Sequence, residues 1–75
     1  MDKLNAMKTF MQVAETGSFS RAAYRLGLSK ASVSKQVAEL ESSLDAQLFI
    51  RTTRQVRLTD NGHYYLSRCR DLLAE

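Results

Sequence analysis

The chain has 75 residues, of which 44% are hydrophobic, and its formal net charge is +3 at pH 7. This length allows one domain with a small core, and the apolar content is too high for a disordered chain. No run approaches the roughly 18 apolar residues of a membrane span, and the first ten residues lack the apolar region of a secretory signal. The single cysteine, Cys69, and the single histidine, His63, exclude an intrachain disulfide and the usual zinc site. These features predict a cytoplasmic protein without a metal or another cofactor.

The charged residues are segregated along the sequence. Seven of the eleven basic residues lie in two stretches, 16–38 and 46–59, which contain none of the eight acidic residues. Such segregation favours a surface of one sign, and a polyanion is the natural partner of a basic surface. The alternative is a solvated basic face that binds nothing.

Residues 2–16 are predicted to form a first helix. Its apolar residues recur at helical spacing and form one stripe: Leu4, Met7, Phe10, Met11 and Ala14. Asp2 suits the positive end of the helix dipole, and Gly17 ends the helix. We interpret the stripe as the layer on which the following helices pack, rather than as a ligand site.

Residues 18–44 are predicted to form two further helices joined by a sharp turn at Gly27. Ser18 is the predicted N-cap of the second helix, with Ser20 as a competing choice, and Ser29 caps the third. The third helix has one apolar stripe: Val33, Val37, Leu40 and Leu44. Its opposite face contains short or basic side chains and no acid: Lys30, Ser34, Lys35 and Ala38. This geometry fits a DNA major groove, although similar helix pairs also occur in protein-interaction domains.

Residues 46–59 are predicted to form a two-stranded β-hairpin with its tip near residues 52–55. Leu48 to Ile50 is a short apolar run, and Val56 and Leu58 alternate with Arg57. The tip contains neither glycine nor proline, so the turn type stays open. Arginines near such a tip would suit a minor groove or the phosphates beside it.

Residues 60–75 are predicted to form a fourth helix, with Thr59 or Asp60 as its cap. This helix has a wide apolar band: Tyr65, Leu66, Cys69, Leu72 and Leu73. Part of the band should pack on the domain, and the remainder would be exposed in a monomer. The band therefore predicts a dimer contact.

An ordered set of residues along the chain carries a resemblance to a known family. The set consists of Gly17-Ser18-Phe19, Ala22-Ala23, Ser29, Val33-Ser34, Gln36, Leu40-Glu41, Leu48-Phe49, Arg51, and Leu58-Thr59 with Gly62. With this set, essentially the whole chain resembles the N-terminal domain of LysR-type transcriptional regulators. The resemblance implies a mainly α winged helix-turn-helix fold with a three-helix core, a two-stranded β wing and a C-terminal linker helix. It divides the chain into a DNA-binding domain, 1–58, and a linker and dimerisation helix, 59–75.

The resemblance also implies a function, which is sequence-specific binding of double-stranded DNA by a bacterial transcriptional regulator. The recognition helix, about 30–44, would read the major groove, and the wing, about 49–58, would contact the minor groove or backbone. The implied DNA-binding residues are Ser18, Ser20, Arg21, Ser29, Lys30, Ala31, Ser34, Lys35, Arg51, Thr52, Thr53 and Arg54. The expected partners are an inverted-repeat operator and a second copy that pairs through the C-terminal helix. A full-length regulator would form higher oligomers.

The sequence departs from the family pattern in three respects. The family usually has glycine where Asp45 stands, so the end of the third helix is expected to be tightened differently or strained. A Gln-Pro or similar pair is frequent where Lys30 and Ala31 stand, so base contacts there cannot be transferred. The effector-binding domain of the family is absent, so the chain is either an excised fragment or a naturally short protein; because the last helix stops without a cap, we expect a fragment.

Other function classes fit the sequence less well. No glycine-rich phosphate loop or nucleophile motif is present, and His63 has no assigned acidic partner, so we expect no enzyme activity. RNA binding is disfavoured because the aromatic residues do not form a stacking platform on a sheet. A winged-helix module that binds an acidic protein through Lys30, Ser34 and Lys35 stays open as the alternative.

Overall fold

A computed structural model describes residues 2–52 and 55–74 and contains four helices and one hairpin in that part of the chain. The elements are α1 (Lys3–Thr16), α2 (Phe19–Leu26), α3 (Lys30–Leu44), β1 (Phe49–Arg51), β2 (Val56–Leu58) and α4 (Asp60–Leu73). The predicted mainly α, winged helix-turn-helix fold is confirmed. Within the described residues, no helix is both long enough and apolar enough to cross a membrane.

Each helix begins at a polar side chain that accepts a hydrogen bond from the backbone N–H three residues further on. The four caps are Asp2, Ser18, Ser29 and Thr59. The Ser18 hydroxyl accepts from the Arg21 N–H at 3.1 Å, so Ser18 rather than Ser20 caps α2. Because these caps satisfy N–H groups that the first helical turn leaves unpaired, short polar residues fix where the helices start.

Three helices end with a residue in the left-handed backbone region. Gly17 and Gly27, which follow α1 and α2, both have a φ of 68°. Asp45 follows α3 with a φ of 52° and donates its N–H back to the last turn. Asp45 therefore adopts the conformation that glycine takes without strain, as the departure from the family pattern predicted.

The core lies between α1, α2 and α3 and continues under the wing and α4. Phe10, Val13, Val33, Val37 and Leu40 are completely buried. The Phe10 ring lies 5.2 Å from the Phe49 ring of β1 and 5.4 Å from the Tyr65 ring of α4, measured between centroids. These aromatic contacts attach the wing and α4 to the three-helix core.

The wing is a short antiparallel hairpin. Its register pairs Phe49 with Leu58, Ile50 with Arg57 and Arg51 with Val56. The Thr52 N–H donates to the Gln55 carbonyl oxygen at 2.9 Å, which closes the hairpin at the predicted tip. Thr53 and Arg54 lie outside the described residues.

Backbone groups of residues 48 and 49 form hydrogen bonds that connect the wing to α3 and to the start of α4. One carboxylate oxygen of Glu41, on α3, accepts the N–H groups of Leu48 and Phe49 at 2.8 and 3.2 Å. The Leu48 carbonyl accepts the Thr59 N–H at 3.0 Å, next to the start of α4. A Cβ at Gly62 would collide with that same carbonyl oxygen, so α4 approaches β1 as closely as it does only with glycine there.

The apolar band on α4 is divided between the core and the surface. Leu66 and Cys69, two of the five predicted dimer residues, are 7% and 0% exposed and pack on their own domain. These two residues form the part of the band that packs on the domain, because α4 turns this face toward the core. Tyr65 and Leu73 are half-buried, whereas Leu72 is 70% exposed.

Candidate nucleic-acid interface

The outer face of α3 is polar and basic in its N-terminal half. Lys30, Ala31 and Lys35 are exposed and Ser34 is partly exposed. Val33, on the opposite face, is completely buried. The structure therefore turns the predicted recognition residues of α3 outward together.

A partly buried hydrogen bond links α3 to α1. The Thr9 hydroxyl donates to the Gln36 side-chain oxygen at 2.7 Å, and Thr9 is 3% exposed. Turning α3 about its axis would break this bond and leave polar groups buried without a partner, which is unfavourable. Thr9 and Gln36 thus help to hold Lys30, Ser34 and Lys35 on the outer face.

An open cleft lies between the beginning of α2 and the wing, with a volume of about 240 Å³. It is lined by Ser18, Ser20, Lys30, Thr52 and Gln55, among others, and its described lining contains no acidic residue. Residues from three elements that are distant in the sequence thus share one surface. Hydroxyl groups, a lysine and the N-terminal end of a helix together suit an anionic backbone.

The predicted residues at the start of α2 and α3 have distinct surroundings. Ser20 and Arg21 are exposed on the first turn of α2. The Ser29 hydroxyl is exposed but already serves as a cap, because it accepts the Ser32 N–H at 3.0 Å. Arg25 turns toward α1, where its Nη1 lies 3.4 Å from the Gln12 side-chain oxygen and 4.0 Å from a Glu15 carboxylate oxygen.

Arg51 brings the wing to the entrance of α2. Its guanidinium carbon lies 4.2 Å from the centre of the Phe19 ring, which is a cation–π distance. Phe19 is the first residue of α2, directly after the cap Ser18. The predicted wing residues Arg51 and Thr52 therefore lie near the predicted α2 residues, whereas the predicted Thr53 and Arg54 are outside the described residues.

The shifted pKa values belong to the core and not to this surface. Burial, with a smaller effect of the nearby Cys69, raises the pKa of Tyr65 to about 12. Burial also raises the pKa of the Cys69 thiol. Both groups lie on α4.

A basic outward helix, a helix entrance beside it and an adjacent arginine-bearing hairpin define a winged helix-turn-helix DNA-binding domain. Comparison of the sequence with known protein families specifies the class further. Residues 4–63 match the family of bacterial regulatory helix-turn-helix proteins of the lysR family. The chain belongs to this family, whose domain binds DNA in a sequence-specific manner for a transcriptional regulator.

Two curated relatives are similar over most of this chain. An HTH-type transcriptional repressor of Pseudomonas aeruginosa (strain UCBPP-PA14) is 51% identical over 75 residues, which are 100% of this chain and 24% of that protein. The HTH-type transcriptional activator AllS of Salmonella typhimurium is 48% identical over 68 residues, which are 91% of this chain and 22% of that protein. The chain thus spans about a quarter of the length of these relatives.

A solved structure of a DNA complex shares the fold. The BenM DNA-binding domain bound to catB site 1 DNA is 34% identical to this chain and superposes with a TM-score of 0.91. The match covers 95% of this chain and 79% of that one. The domain in that complex therefore has the same fold as this chain.

Sequence reasoning missed three contributors to this surface. Glu41 holds the wing, Phe19 contacts Arg51, and Thr9 links α1 to α3. Thr9 had a local signal, since it is a polar residue within the buried side of α1. Glu41 and Phe19 had none that specified their partners, because these contacts join distant parts of the chain.

Proposed function

We propose that the N-terminal half of α3 reads base edges in the major groove through Ser34 and Lys35, with Lys30 and Ala31 at its start. Hydroxyl and ammonium groups can bond to base edges there, and a methyl group such as that of Ala31 can contact the thymine methyl. The observation that carries this proposal is that these four side chains lie on the outward side of the N-terminal half of α3, and that half contains no acid. Glu39 lies further along α3, where a carboxylate is not forced against DNA phosphates.

The wing and the entrance of α2 would contact the DNA backbone or the adjacent minor groove. Ser18, Ser20 and Arg21 would bind phosphate at the helix entrance, and Arg51 and Thr52 would extend this contact from the wing. The shared cleft between α2 and the wing supports this proposal. The proposed role of Thr53 and Arg54 at the tip rests on the sequence alone. This is a binding function without catalysis, and it would operate in the cytoplasm, where bacterial DNA lies.

Selection from a pool of random duplexes tests the proposed sequence specificity. We expect enrichment of one motif, and weaker binding at higher salt because lysine and arginine displace counterions from the phosphates. Replacing Arg51 by alanine should lower affinity across sequences and reduce the salt slope by about one unit. Recovery of no common motif, despite tight binding, would contradict base readout by α3.

We further propose that two copies pair through α4 on an inverted-repeat site. Tyr64 and Leu72 are 68% and 70% exposed and lie with Arg68 on one stripe, at steps of four residues. Exposed apolar side chains of this kind suit a protein contact, and pairing two such stripes would cover both. Two-fold pairing would set the half-sites about one helical turn, or a multiple of it, apart.

Sedimentation of two matched variants tests the pairing. Leu72→Lys places a charge on the proposed contact, whereas Ser67→Lys places the same charge elsewhere on α4. We expect wild type and Ser67→Lys to form dimers at micromolar concentration, with Leu72→Lys shifted toward monomer. Equal association of both variants, with and without an inverted-repeat duplex, would exclude this stripe as the dimer contact.

A further inference from the structure

We propose that Phe19 is a positioning residue for DNA binding, because its ring holds the Arg51 guanidinium at the entrance of α2. This inference rests on the proposed contact between Arg51 and DNA. The guanidinium carbon of Arg51 lies 4.2 Å from the ring centre of Phe19, although the two residues are on different elements. The contact therefore fixes a wing side chain relative to the helix-turn-helix core.

Arg51 has little else to hold it among the described contacts of the wing. It is exposed and ends a three-residue strand of a two-stranded hairpin. A long, exposed arginine loses rotamer freedom when it binds DNA, and that loss weakens binding. An aromatic ring that already orders the guanidinium in the free protein reduces this loss.

The Phe19 ring is itself rigidly placed. Its side chain is 7% exposed, and its ring meets the Phe49 ring edge-on, with 5.9 Å between centroids and 68° between planes. Phe49 in turn contacts Phe10, which is completely buried. The aromatic core thus supports Phe19 from behind, while Arg51 covers its outer side.

The position of the guanidinium suits an anion between the wing and α2. Phe19 opens α2, so Arg51 lies beside a helix end that carries partial positive charge. Lys30 lines the cleft between the beginning of α2 and the wing, as Phe19 does. A DNA phosphate would be attracted by all three groups at once.

A double-mutant cycle separates positioning from simple packing. Four proteins are compared by fluorescence anisotropy on one duplex, at a temperature where circular dichroism shows all of them folded: wild type, Phe19→Leu, Arg51→Ala and the double variant. We expect Phe19→Leu to weaken binding about two- to fivefold, the range that a partly exposed cation–π contact supports. Its salt slope should stay that of wild type because the charge is retained. In the Arg51→Ala background the same Phe19 change should have no further effect.

Two control variants sharpen the cycle. Phe10→Leu makes the same substitution at a buried ring that contacts Phe49 and Tyr65 instead. Any loss of affinity that it causes through the core should be smaller than that of Phe19→Leu and equal with and without Arg51. Phe19→Tyr keeps the ring face and should bind like wild type. In the DNA-free protein, the side-chain protons of Arg51 should show an upfield ring-current shift in the NMR spectrum, which Phe19→Leu should abolish.

The outcomes separate this inference from the proposed function. If Phe19→Leu weakens binding equally with and without Arg51, or if Phe10→Leu weakens it as much, Phe19 acts through packing and the inference is wrong. Absence of the ring-current shift would also overturn it. If Arg51→Ala leaves both affinity and salt slope unchanged, the proposed wing contact itself fails, and the role of Phe19 fails with it.

Discussion

At the scale of single residues, the backbone of Asp45 carries strain that a substitution can relieve. Its φ of 52° lies where residues with a Cβ are disfavoured by about 1 kcal/mol or more. We expect Asp45→Gly to raise the free energy of unfolding by about 0.5–1 kcal/mol, since part of the gain is lost to the greater freedom of glycine in the unfolded chain. Urea unfolding measures the change.

The opposite substitution, from glycine to a residue with a Cβ, can be made at Gly27. It has the same backbone conformation, and nothing lies within 4 Å of an added Cβ, so Gly27→Ala introduces strain without a collision. That variant should be less stable by about 1 kcal/mol. Destabilisation of both variants would mean that the Asp45 side chain stabilises the end of α3 by more than its strain costs.

The raised pKa of Tyr65 predicts that the free energy of unfolding falls at alkaline pH. Burial raises its pKa from 10.0 to about 12, so the folded chain favours the neutral phenol. This contribution is complete below the unfolded pKa near 10 and is lost as the pH rises toward 12. Tyr65→Phe should therefore lose less stability than wild type over that interval, as measured by urea unfolding at successive pH values. Tyr64→Phe, at a position that is 68% exposed, is the control and should follow wild type.

At the scale of elements, Glu41 couples the wing to the recognition helix. Its carboxylate accepts two backbone N–H groups at the start of β1, from Leu48 and Phe49. Glu41→Ala leaves both donors without this partner and should lower the free energy of unfolding by about 1–3 kcal/mol. The amides of Leu48 and Phe49 should also exchange hydrogen faster.

Two further variants test the specificity of this effect. Glu39→Ala removes an exposed acid from the same helix and should change stability by less than about 0.5 kcal/mol. Glu41→Gln retains a side-chain oxygen that can accept both bonds, so it should recover most of the loss. If Glu39→Ala and Glu41→Ala are equally stable, the carboxylate does not hold the wing.

The elements were largely predictable because their signals are local. Caps such as Ser18 and Thr59 bond to the backbone N–H three residues further on. The apolar stripe of α3 repeats within one helix: Val33, Val37 and Leu40. The contact of Glu41 with Leu48 and that of Phe19 with Arg51 depend on how elements meet, which spacing does not encode. Spacing predicted the apolar band on α4 but not which part of it faces the core, because only packing determines that.

At the scale of the whole molecule, the proposed DNA contacts and the proposed dimer contact lie on different elements. The outer face of α3, the start of α2 and the wing form one basic surface, and the core attaches α4 behind them through Phe10 and Tyr65. A rigid attachment would let pairing of two α4 helices set the spacing of two DNA-binding surfaces. The sequence alone predicted an outward basic face on α3, which stays a prediction as a DNA contact, whereas the attachment of α4 required the fold.

Base readout by α3 is the central claim, and one comparison tests it most directly. The measurement is the ratio of affinities for a selected duplex and a random duplex, determined for Ser34→Ala and for Ser42→Ala, an identical change at an exposed position nearer the end of α3. Ser34→Ala should weaken binding to the selected duplex by about 1–3 kcal/mol and leave the random duplex unaffected. Ser42→Ala should leave both affinities unchanged. An equal loss on both duplexes, or no loss on either, would contradict base readout at Ser34.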